Sequence, residues 1–136
     1  MSQDLARRAV ASKHWRWLPG MLAIHPNFRD VRVSHVGRTG MHGACRYASP
    51  MGGVSQAVVA LPLPTSSDVL PDLDDPATVG CLLALVREAL DDPWIRVEPG
   101  SRGWYCIHSR PPAGGGIPRN GDTEAEALVA TLEAAP

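Results

Sequence analysis

The sequence predicts an α+β protein: a small antiparallel sheet of hairpins flanked by about three helices. Three observations predict it. Apolar residues recur at helical spacing in three separated segments. Alternating segments lie between them, and short turns join these as hairpins, which pair strands antiparallel. The order is helix, strand pair, helix, strand pair, helix. A chain of 136 residues, 44% of them hydrophobic, suffices for one core, so a single domain over 1–136 is expected.

The elements follow in order. "DLARRAVASKHW" reads as the first helix, capped by Ser2 or Asp4, with Leu5, Ala9 and Ser12 on one stripe and Ala6 and Val10 beside it. "LPG" at 18–20 stops it, leaving Trp15 and Trp17 at its exit. Indoles flanking a chain reversal serve first as core and second as a platform for a ligand. "DVRVSHV" alternates, which puts Val31, Val33 and His35 on one face and Arg32 and Ser34 on the other. "ACRYA" and "VSQAVVALPLP" read as two more strands across an "SPMGG" turn, with a proline-punctuated loop after them.

The central helix is the best specified. Asp75 is a natural N-cap and Pro76 suits the first helical position. Val79, Leu82, Leu83, Val86 and Leu90 then form an amphipathic stripe. The carboxylates Asp72, Asp74 and Asp75 lie at the positive end of the helix dipole, which explains them without a metal. "WIRVE" and "WYCIH" around "PGSRG" form a hairpin over 94–108, and a glycine-rich loop follows. "TEAEALVATLEAA" is the last helix, opened by a capping box in which Thr123 takes the N3 amide and Glu126 reaches back.

Net charge is -1, so the total does not suggest a polyanion partner. Its distribution is uneven. Residues 1–60 carry eight basic side chains against Asp4 and Asp30, whereas the remainder carries five against twelve carboxylates. Only Lys13 of the thirteen basic residues is a lysine. Arginine presents a planar fork that fits phosphate or carboxylate. Cys45, Cys81 and Cys106 form no CxxC, and the odd count argues for reduced thiols. The first fifteen residues lack the apolar run of a signal peptide, and no segment has the length of a membrane span. A cytoplasmic protein is expected.

Three stretches carry a resemblance: "LARRAV…WRWLPGM", "LPDLDDPATVGCLLALVREAL" and "TEAEALVATLEAAP". In these the chain resembles small accessory proteins of bacteriophages and prophages, and its layout resembles the phage ABA (α-β-α) sandwich type. The resemblance covers most of the chain apart from roughly residues 25–70. It implies a phage-borne protein of layered α/β fold in an infected bacterial cytoplasm, and it implies no particular chemistry.

Within the remaining middle, "HVGRTGMHGACRYASPMGG" gathers glycines, arginines and histidines. It matches neither GxxxxGK[ST] nor GxGxxG and runs into no helix, so it is not a nucleotide-hydrolysis loop. Glycine nonetheless lets backbone amides approach an anion, and guanidinium–phosphate bonds are about twice as strong as neutral ones. The alternative is a solvated or protomer-pairing basic face. "HGAC" and "CIH" fall short of the four ligands of structural zinc. No GxSxG elbow is present. The mixed basic and aromatic "ARRAVASKHWRW" suits single strands, but the neutral balance argues against a dedicated nucleic-acid binder.

The expectation is therefore a non-catalytic phage counter-defence protein, a sponge for a small anionic, nucleotide-derived signal, with no cofactor and no metal. Arg32, Arg38 and Arg46 would neutralise phosphates, His42 would donate hydrogen bonds, and Trp15 or Trp17 would stack a base. The alternative is a protein that covers a host defence or regulatory protein. Few Phe and Tyr, and halves of opposite charge, also suggest a homo-oligomer.

Overall fold

Residues 3–25, 29–38, 40–48, 51–62, 69–109 and 120–136 are described by the computed structural model. Their contacts divide the chain into two units, one of Met1 and Trp17–Thr78, the other of Ser2–Arg16 and Val79–Pro136. Three helices and two antiparallel sheets make the class α+β, as expected.

The first unit is a five-stranded sheet in the order β4-β3-β2-β1-β5. Its strands are β1 (Leu22–His25), β2 (Arg29–Val36), β3 (Gly40–Ala48), β4 (Val54–Pro62) and β5 (Leu70–Pro71). β3 starts at Gly40, so "GMHG" is strand, where a strand from Ala44 was expected. The glycine-rich stretch is therefore a hairpin. Gly52 and Gly53, on the far side of β3, have φ of 87° and 92°, a region glycine enters freely. Val31, Val33, Met41 and Cys45 are buried from β2 and β3.

Asp75 begins the helix α2 (Pro76–Ala89) as expected: its Oδ2 accepts from Thr78 N at 2.8 Å. Thr78 Oγ1 also donates to that oxygen at 2.8 Å and accepts from Leu22 N at 2.8 Å, which ties the helix start to β1. Asp91, at φ 49°, ends the helix, and Asp92 N reaches back to Arg87 O at 3.0 Å. The fully buried residues of α2 are Thr78, Leu82, Leu85 and Val86, while Val79, Leu83 and Leu90 of the expected stripe are half-buried. Apolar residues cover more than one stripe of this helix, so periodicity leaves its rotation open and packing settles it.

The second unit holds α1 (Gln3–Ala11), most of α2, the sheet β6-β7-β8 and α3 (Glu124–Ala134). Here β6 is Arg96–Gly100, β7 is Gly103–Ile107 and β8 is Asn120–Gly121. α3 packs against all three strands and against α1. Helix α1 is shorter than expected. It stops at Ala11, after which Ser12 N bonds Ala9 O and Trp15 N bonds Ser12 O, tight turns in place of helical ones. Asp4 lies inside its first turn, and Ser2, the other expected cap, is outside the described residues. Leu5, Ala6 and Ala9 are buried.

Thr123 caps α3, accepting from Glu126 N at 3.2 Å, and Glu126 reaches back to Asp122 N at 2.7 Å. The expected hairpin over 94–108 forms as β6 and β7. The loops expected over 63–68 and 110–119 fall on residues outside the described ones. Cys45 and Cys106 are free thiols, and both are buried. No helix among the described residues is long and apolar enough to cross a membrane.

Candidate functional site

Two places bring polar, cationic and aromatic groups together, one in each unit. In the first unit the outer face of β2 and β3 departs from simple alternation. The register runs Val31↔Cys45, Arg32↔Ala44 and Val33↔Gly43, then skips to His35↔His42. Ser34 is thus the extra residue of a β-bulge. The bulge turns His35 away from the buried Val31 and Val33, with which alternation had grouped it. His35 and His42 are both exposed, their ring centroids 6.1 Å apart. Gly43 permits the close approach: a Cβ there would meet Arg32 O and Val31 Cγ1 at 2.5 Å.

Arg32 shares this face by register, and its fork is taken. Nη1 and Nη2 donate to the two Asp75 oxygens at 2.6 and 2.8 Å, and Nη1 donates also to Gly20 O at 2.7 Å. The pairing of Arg32 with Asp75, helped by the Thr78 donors, holds the Asp75 carboxyl far below the usual carboxylate range despite opposing desolvation. Arg32 therefore ties β2 to the cap of α2. Arg38 lies in the turn after β2, exposed and with no hydrogen bond or ion pair among the described residues. Arg46 takes its place in β3 opposite Gln56, and its side chain is outside the described residues. Trp17 is 6% exposed, in keeping with a core role for its indole.

In the second unit a cleft of about 360 Å³ is lined by Lys13, His14, Trp15, Arg16, Leu85, Glu88 and Ala89. Its volume falls within the roughly 300–1,000 Å³ of small-ligand sites. The tight turns after α1 present Lys13, His14, Trp15 and Arg16, and the last two turns of α2 supply the other wall. Arg16 grips Glu88 with both Nη atoms, at 2.7 and 2.6 Å, which lowers the Glu88 carboxyl and raises the guanidinium. His14 Nε2 lies 2.8 Å from Pro136 O. The Lys13 ammonium has no partner among the described residues. The cleft thus offers an aromatic wall, apolar side chains from α2 and one uncommitted positive charge.

Of the six residues singled out from sequence, the structure places Trp15 in this cleft. Arg32, His42 and, in the turn, Arg38 belong to the other unit with Trp17. Lys13, His14, Arg16, Leu85 and Glu88, which also line the cleft, are not among the residues the sequence singles out. The basic "KHWR" run around Trp15 is a visible signal for half of the cleft. Nothing local marks Glu88, seventy-two positions from Arg16.

Fold and sites together define an α+β protein of two antiparallel sheets, with a cleft in its second unit. No family model matches the chain, and no curated protein or solved structure matches it.

Proposed function

We propose that this is a non-catalytic phage counter-defence protein that sequesters a small anionic, nucleotide-derived ligand in the Trp15 cleft. The observation that carries the reading is a cleft of about 360 Å³ lined by both Trp15 and Lys13, whose ammonium has no partner among the described residues. A base lies against Trp15 and the side chain of Ala89, and Lys13 takes a phosphate oxygen through a charge-assisted bond. The Arg16–Glu88 pair closes the rim. In the other unit Arg38 is an exposed guanidinium, and Arg32 and Trp17 serve the fold.

Calorimetry against cyclic dinucleotides and ADP-ribose-type nucleotides tests this. One nucleotide class should bind saturably and be recovered unaltered after denaturation. Lys13→Ala should weaken it about tenfold, the worth of one charge-assisted bond. The absence of binding by every nucleotide, or full binding by Trp15→Ala, overturns the reading. An altered nucleotide would point to a hydrolase.

A second reading, inhibition of a host protein by surface coverage, is favoured by β4. This strand forms one edge of its sheet, carries no charge over Val54–Pro62, and leaves Val58 80% exposed. Uncharged edges accept a partner's strand. Co-purification of a host protein that Val58→Lys abolishes, with no nucleotide bound, would favour it.

A further inference from the structure

The bulge in β2 has no role in the cleft. It leaves one residue of the ladder unpaired, and it sets two imidazoles side by side on an open sheet face. We propose that His35 and His42 form half of a binding site for a borderline divalent metal ion, zinc in the first instance, and that the same pair on a second copy completes it.

Imidazole nitrogen selects zinc, copper or nickel over calcium or magnesium. With metal–nitrogen bonds of about 2.0–2.1 Å and angles between 90° and tetrahedral, two ring centroids come within about 4.5–5 Å. The rings start 6.1 Å apart and tilted by 31°, so small side-chain rotations close the gap. Both are exposed, so moving them disturbs no core. The neighbour of His42 on β4 is Ala60, and that of Arg32 on β3 is Ala44, so the surroundings of the pair are low. The nearest formal charge on this face by register, Arg32, is neutralised by Asp75. Ser34 Oγ donates to His42 O at 3.1 Å and pins the bulge to β3.

Two nitrogens do not satisfy a tetrahedral ion. Among the described residues, no group of three or more His, Cys, Asp or Glu is placed to hold a metal. A two-fold axis through the ion supplies four imidazoles from two identical half-sites. Ala44, Ala60 and the exposed Val58 are short enough to let two such faces approach.

Light scattering during a zinc titration tests the proposal. The mass should double at one zinc per two chains and return to its starting value with a chelator. His42→Ala, and separately His35→Ala, should weaken the zinc dependence at least about tenfold, because one imidazole is no chelate. Metal-free melting of each variant should match the parent, since neither ring is buried. A mass that does not respond to zinc overturns the proposal. So does a response that survives in the double variant.

Discussion

Asp75 joins three jobs in one carboxylate, and removing it separates them. Its oxygens cap α2 through Thr78 N, accept from Thr78 Oγ1, and receive the Arg32 fork. Replacing an N-cap by alanine costs about 1 kcal/mol. The Asp75 side chain is 13% exposed and Arg32 42%, so the ion pair is worth more than a surface pair but is discounted for solvent: about 1–2 kcal/mol. Asp75→Ala should thus destabilise by about 2–3 kcal/mol, and Asp75→Asn, which keeps a good cap, by about 1–2 kcal/mol. In urea the larger loss moves the unfolding midpoint by about 1 M. The pH dependence has a definite sign. The folded-state carboxyl is held below its ordinary 3.8 by Arg32, so its contribution is full above that value and is lost as the pH falls toward the depressed one. Parent protein should lose this stability below about pH 4, and Asp75→Asn should lack that component of the slope. Chemical denaturation followed by circular dichroism at pH 7 and pH 3 measures both. Equal stability of Asp75→Ala and parent at pH 7, or an unchanged acid slope in Asp75→Asn, would refute the reasoning.

Other outcomes follow from the same geometry. Gly103 has a φ of 113°, and a Cβ there would lie 2.4 Å from Gly121 O, so Gly103→Ala should destabilise by at least about 2 kcal/mol in thermal or urea unfolding. Thr123→Ala removes the cap of α3 and should cost about 1 kcal/mol by the same measurement, with Thr123→Ser near neutral. Glu88→Gln frees the Arg16 fork beside Trp15. Nucleotide affinity measured by calorimetry should then rise several-fold, and unchanged or weaker binding would count against the cleft.

What could be read from the sequence was local. Asp75 before Pro76, Thr123 with Glu126, and the 94–108 hairpin all rest on residues a few positions apart, where caps and short turns act. Alternation also identified β2, but it assumes an unbroken ladder. The bulge at Ser34 broke it because β3 brings Gly43 against Val31 and Arg32, and His35 changed face. For the candidate sites the limit was sharper. Arginines 32, 38 and 46 look equivalent in the sequence, yet a carboxylate forty-three positions away takes the first of them. In the same way Trp15 acquired a cleft only when the end of α2 came alongside.

By itself the sequence determined the class, the starts of α2 and α3 and the 94–108 hairpin, since those depend on contacts within a turn or two of the chain. Tertiary structure alone decided which charges are spent internally and which stand free, which histidines meet, and where a cavity opens. Strand register and ion pairing are chosen among many distant partners by packing and desolvation, and no short window of residues contains that choice.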